Sequence, residues 1–141
     1  MHGSASKGGN FVQRMGARAR ETNALKMVSD QRLQPTFTVD LARAVLAAGE
    51  AQAAGVLHLT ASGACSWFEF TEEIMRIAGI DVNITPVTTT VPEGGADRPL
   101  NDALARDRAA ALGLPALPPW RDALSQYMNE AGLSAPDTEG T

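Results

Sequence analysis

The residues able to do chemistry in this 141-residue chain are few, and their spacing excludes several reactions. Tyr127 is the single tyrosine, and the residue four on is Ala131. A Tyr-x-x-x-Lys couple, in which lysine tunes a tyrosine to protonate a carbonyl oxygen, is therefore absent. The glycine-rich start, Gly3-Ser-Ala-Ser-Lys-Gly-Gly-Asn10, is neither Gly-x-Gly-x-x-Gly nor a phosphate loop ending in Lys-Ser/Thr. Glu69, Glu72 and Glu73 could suggest paired carboxylates for glycoside hydrolysis. They fall in the first two turns of an expected helix, where the dipole favours negative charge, so a structural role is the reading adopted. His58 sits among apolar neighbours with no second ligand nearby and reads as a packed histidine rather than a metal site. Cys65 has no neighbouring base in sequence to make it a nucleophile. Arg14, Arg18 and Arg20 read as a solvated helix face. Trp67, Phe68 and Phe70 read as core.

What remains is a set of polar residues suited to holding a ligand. Asn10 precedes a helix, where backbone N–H groups favour phosphate oxygens; it serves equally well as a simple N-cap. Asp30, Gln31 and Thr36 belong to a polar loop after a strand. They could read hydroxyls or base edges by hydrogen bonds, or merely build a turn. Arg98 precedes Pro99 in a loop, where a guanidinium can grip a diphosphate with two parallel hydrogen bonds. Asn101 could touch the same ligand or cap a turn.

Composition bounds the class. A chain of this length is one domain's worth and can bury a core. With 44% hydrophobic and 20% charged residues it belongs with ordinary globular chains. The net charge of -4 gives no general affinity for nucleic acid or anionic membrane. One cysteine cannot form an internal disulfide, which fits a reducing cytoplasm. No apolar run approaches the roughly 20 residues needed to cross a bilayer.

The elements that must position these side chains follow from periodicity. Residues 1–9 read as flexible loop and 132–141 as a disordered tail, leaving 10–131 as the folded region. Helices are expected over 11–21, 39–52, from Ser66 to 78, over 107–112 and from Trp120. Ser66 and Glu69 form a capping box, the clearest local signal. Leu124, Tyr127 and Met128 share the apolar face of the last helix. Strands are expected over 25–28, 56–60 and 83–90, with 30–35 a loop and 61–65 a turn. Helices outnumber short, separated strands. The 56–60 strand follows a helix as in a parallel crossover, yet its expected upstream partner is poorly supplied. The pattern predicts an α/β fold, part of a doubly wound Rossmann-like sheet, mostly helical. Val56, Leu57 and Leu59 put apolar groups on both faces of their strand, so self-association through an uncovered edge is expected.

Seven segments in order resemble the dTDP-4-dehydrorhamnose reductase family of extended short-chain dehydrogenase/reductases. They are Gly9-Asn-Phe-Val-Gln-Arg-Met15, Val28-Ser-Asp-Gln31, Pro35-Thr-Phe-Thr-Val-Asp-Leu-Ala42, Gly55-Val-Leu-His-Leu59, Ser62-Gly-Ala-Cys-Ser-Trp-Phe-Glu-Phe70, Arg98-Pro-Leu-Asn101 and Leu117-Pro-Pro-Trp-Arg-Asp-Ala-Leu124. No single segment is diagnostic; the ordered set spans roughly residues 9–130. The resemblance implies the C-terminal, sugar-nucleotide-binding half of an enzyme that reduces a dTDP-4-keto-6-deoxysugar with NADPH. It implies that the cofactor and the Tyr/Lys pair lie in an N-terminal half that this chain lacks. It assigns no catalytic and no cofactor-binding residue here, and it puts Asn10, Asp30, Gln31, Thr36, Arg98 and Asn101 on the substrate side. Leu33 stands where the family usually has glycine, and Cys65 where serine or threonine is common. Two alternatives are another nucleotide-sugar epimerase or reductase, and a non-catalytic binding module like the reductase-like regulatory subunit of methionine adenosyltransferase.

Overall fold

The computed structural model describes residues 9–91, 93–95 and 99–136. Three helices form the body. Helix α1 (Phe11–Thr22) starts at Asn10, whose side chain accepts the Gln13 N–H at 3.1 Å while Gln13 Oε1 accepts the Asn10 N–H at 3.1 Å. It stops at Asn23, which takes the left-handed conformation with φ 53°. Helix α3 (Trp67–Ala78) starts at the Ser66/Glu69 capping box, with bonds of 3.1 and 2.7 Å, and stops at Gly79. Helix α5 (Trp120–Glu130) follows Pro118-Pro119.

Each helix turns one stripe inward at helical spacing. From α1 these are Val12, Gly16 and Ala19; from α3, Phe70, Thr71, Ile74 and Met75; from α5, Trp120, Ala123, Leu124 and Met128. Phe70 is fully buried and central. The Phe11 ring lies 5.7 Å from it and that of Trp120 5.8 Å, while Trp67 closes on Phe11 at 4.8 Å. Arg14, Arg18 and Arg20 point to solvent on α1, as the sequence suggests.

The strands are short. Strand β1 (Ala24–Val28) pairs in parallel with β4 (Asn83–Val87), Leu25 against Ile84 and Val28 against Val87. Both lie against α3. Strand β2 (Arg32–Leu33) pairs antiparallel with β3 (Cys65–Ser66). The stretches read as a loop at 30–35 and a turn at 61–65 thus each contribute to a two-residue strand. Leu33, in place of the family's glycine, sits in β2 without a positive φ, so the side chain is accommodated. The strand expected over 83–90 ends at Val87, because Thr89 turns to meet Asp30. Helix α4 (Asp107–Ala111) is five residues long. Past α5 the packed body continues beyond Gly132: Leu133 joins the core and the Ala135 N–H donates to the Ile77 carbonyl at 2.9 Å.

Two expectations are corrected. Residues 56–60 form no strand: they carry no ladder partner among the described residues. The Val56 and Thr60 carbonyls, with that of Ala54 just before, are met by side chains instead. Arg108 Nη1 donates to Val56 O at 2.7 Å and its Nη2 to Ala54 O, and Arg106 Nη1 donates to Thr60 O at 3.4 Å. The alternation encodes an extended chain, and a ladder needs a neighbour as well. Val56 is 74% exposed, and Thr60 Oγ1 is buried without a hydrogen-bond partner. His58 is exposed rather than packed, its Nδ1 3.1 Å from Ala105 O.

Helix α2 (Thr38–Glu50) shares this unfinished character. None of its residues is buried, and Val39, Val45 and Leu46 are exposed by 52, 54 and 69%. Single exposed apolar residues are ordinary; here three lie on one helix. No helix among the described residues is long and apolar enough to cross a membrane.

Candidate ligand site at the ends of the parallel strands

In open α/β sheets the carboxyl ends of parallel strands are where ligands gather, because loops there converge and backbone groups are left unpaired. In this chain β1 and β4 end side by side at Val28 and Val87. Asp30 and Thr89 meet just beyond them. The Thr89 N–H lies 3.0 Å from both oxygens of the Asp30 carboxylate, and the Thr89 hydroxyl donates to Oδ1 at 2.7 Å. Gln31 joins by donating from Nε2 to Thr89 Oγ at 3.0 Å. The two Thr89 donors hold the Asp30 carboxyl below its ordinary pKa, the hydroxyl first and the N–H next. Asp30 is therefore an anion at neutral pH. Spare acceptor capacity remains on its Oδ2 and on the Gln31 carbonyl, suited to hydroxyl or imide N–H donors.

Asn101 lies alongside Arg32, the residue after Gln31. The Arg32 N–H donates to Leu100 O at 2.8 Å, and the Asp102 N–H to Arg32 O at 2.9 Å, so residues 100–102 run along β2. The Asn101 side chain accepts the Ala103 N–H at 3.1 Å and is exposed. Arg98 lies outside the described residues, two positions before Leu100.

The remaining two residues are placed apart. Thr36 is buried; its hydroxyl donates to Gln34 O and accepts the Ala61 N–H, both at 3.0 Å, which braces the entry to α2. Asn10 is the α1 cap described above, and its Nδ2 donates to the Tyr127 hydroxyl at 2.5 Å. Tyr127 packs at a tilt against Phe37, ring centres 5.6 Å apart, on the wall of a groove of about 530 Å³ that also meets Gln13, Thr38, Asp40 and Glu130.

Thr89 and Tyr127 are the positions the sequence alone does not single out for a site. Thr89 is concealed in a β-branched run that reads as strand, and Tyr127 in an apolar helix face. Neither Cys65 nor the glutamates make a reactive group. Burial pushes the Cys65 thiol up to about 12, with the Glu69 charge adding to it. Glu73 pairs with Arg76 at 2.6 Å, and Glu69 is occupied as a cap. No cluster able to hold a metal ion occurs among the described residues.

With this geometry in hand the chain can be compared with known proteins. A family model described as the RmlD substrate binding domain matches residues 3–133. The spore coat polysaccharide biosynthesis protein SpsK of Bacillus subtilis (strain 168) is 37% identical over 123 residues, covering 87% of this chain and 43% of the relative. The crystal structure of a dTDP-4-dehydrorhamnose reductase from Clostridium acetobutylicum ATCC 824 superimposes with TM-score 0.83 at 36% identity, covering 91% of this chain and 46% of that one. That of the Bacillus anthracis dTDP-4-dehydrorhamnose reductase, in complex with NADP, gives 0.80 at 30% identity, covering 87% and 42%. The chain thus spans less than half the length of the relatives it matches, and it shares the α/β architecture of a part of them. Match over nearly its whole length makes the chain a member of the RmlD substrate binding domain family.

Proposed function

We propose that this chain is the sugar-nucleotide-binding half of an NADPH-dependent reductase that converts a dTDP-4-keto-6-deoxysugar, dTDP-4-dehydrorhamnose, to dTDP-rhamnose. The family match over residues 3–133 carries the reading. The meeting of Asp30 and Gln31 with Thr89 just beyond the β1/β4 strand ends, with Asn101 alongside neighbouring Arg32, supports it. In this reading Asp30 Oδ2 and the Gln31 carbonyl take hydroxyl or thymine N–H hydrogens. Asn101 contacts the ligand, and Arg98, two positions before Leu100, grips the diphosphate with a bidentate, charge-assisted pair. Asn10 and Thr36 act on the same ligand by fixing α1 and the entry to α2.

The residues present do not fit a nicotinamide dinucleotide. Strand β1 runs into Ser29–Gln31 and then β2, and among the described residues neither β1 nor β4 runs into a glycine-rich turn opening a helix, where a pyrophosphate would rest. Tyr127 is engaged by Asn10 and has no lysine four residues on. Hydride and proton donors belong, in this proposal, to a cofactor half that packs on α2 and pairs with residues 56–60. The purified chain is expected to show no NADPH oxidation in the presence of dTDP-4-dehydrorhamnose. Turnover above background would contradict the division of labour.

A further inference from the structure

A second polar cleft, of about 380 Å³, lies between the turn at Ala61–Gly63 and the start of α4. It takes in Gln34, Ser62, Arg106 and Asp107. Arg106 is half-buried, yet no carboxylate pairs with it; the two ion pairs among the described residues involve Arg43 and Arg76. Its position is fixed from one side only. Nη1 donates to Ser62 Oγ at 3.1 Å and to Thr60 O at 3.4 Å, and Ser62 is itself anchored by donating to Leu117 O at 2.6 Å. Among the described residues, Nη2 and Nε have no hydrogen-bond partner. Gln34 is held in the same manner: its Oε1 accepts the Leu104 N–H at 2.8 Å, which leaves its amide N–H groups to donate.

We propose that this cleft binds a small hydroxylated carboxylate, of the size of a sugar acid. A half-buried guanidinium costs desolvation energy that an anion recovers, and its open Nη2/Nε edge matches the two oxygens of a carboxylate. The Gln34 amide supplies a further donor. Asp107 on the cleft wall is an acceptor suited to ligand hydroxyls, and its charge opposes a doubly charged phosphate more strongly than a singly charged carboxylate, which the Arg106 guanidinium offsets. The volume falls in the range of small-molecule sites. Because both main donors are already pinned by the protein, little ordering accompanies binding.

The test is a ¹⁵N NMR titration of the 141-residue chain with D-glucuronate, read at the Arg106 Nε–H and the Gln34 side-chain amide, at constant ionic strength. Saturable shifts are expected with glucuronate, weaker ones with acetate, and none with D-glucose or with inorganic phosphate. Arg106→Gln should weaken glucuronate about ten-fold or more, as loss of a charge-assisted pair implies. Should that variant fail to melt cooperatively, Gln34→Ala leaves the Arg106 anchors in place and should weaken binding several-fold. Absence of saturable shifts, equal shifts with glucose or phosphate, or unaltered affinity in Gln34→Ala would overturn the proposal.

Discussion

The carboxylate of Asp30 takes both the backbone N–H and the hydroxyl of Thr89, at 3.0 and 2.7 Å, across 59 residues of sequence. This clamp joins the ends of β1 and β4 and keeps Asp30 ionised. A carboxyl whose folded pKa is lowered stabilises the fold fully above its ordinary value of 3.8 and loses that contribution as pH falls through the folded value. Melting temperature should therefore be insensitive to this group from neutral pH down to about 4 and should drop below that. Asp30→Asn, followed by circular dichroism, should flatten the acid limb of the curve. Thr89→Val, which keeps the branched shape and removes the hydroxyl, should lower stability at neutral pH. An acid limb unchanged in Asp30→Asn would show that the clamp does not contribute.

Asn10 serves α1 twice, as a cap to Gln13 and as a donor to Tyr127 on α5. Asn10→Ala should cost about 1 kcal/mol from the lost cap, with a further contribution from the Tyr127 bond. Tyr127→Phe alone should cost less than Asn10→Ala. A double-mutant cycle by urea denaturation should give a coupling of about 0.5 kcal/mol or more. Additive effects would mean the Asn10–Tyr127 bond is not worth its geometry.

The core and its three helices are legible in the sequence because their signals are local. Ser66 and Glu69 announce α3, Gly79 ends it, and the Phe70/Ile74 spacing names its inner face. The 56–60 segment misleads for the opposite reason: alternation specifies extended backbone, whereas a strand requires a partner that no local pattern reports. The candidate site is legible in part. Asp30 and Gln31 stand out as polar residues after a strand, but Thr89, which holds them, is 58 residues from Gln31 and acquires its role only when β1 and β4 pair.

The uncovered face of α2 and residues 56–60 should make the isolated chain self-associate. Size-exclusion chromatography should show species larger than a monomer, and the double variant Leu46→Lys, Val56→Lys should shift the population to monomer. A native monomer that melts cooperatively above about 65 °C would show a self-sufficient domain instead.

The central claim, that this chain carries the sugar-nucleotide site, is tested most directly by isothermal titration calorimetry. The account predicts saturable binding of dTDP-rhamnose, weakened about ten-fold or more by Arg98→Ala, as removal of a bidentate charge-assisted contact implies. It predicts no binding of NADPH. Absence of heat with dTDP-rhamnose, or an affinity indifferent to Arg98→Ala while NADPH binds, would contradict it.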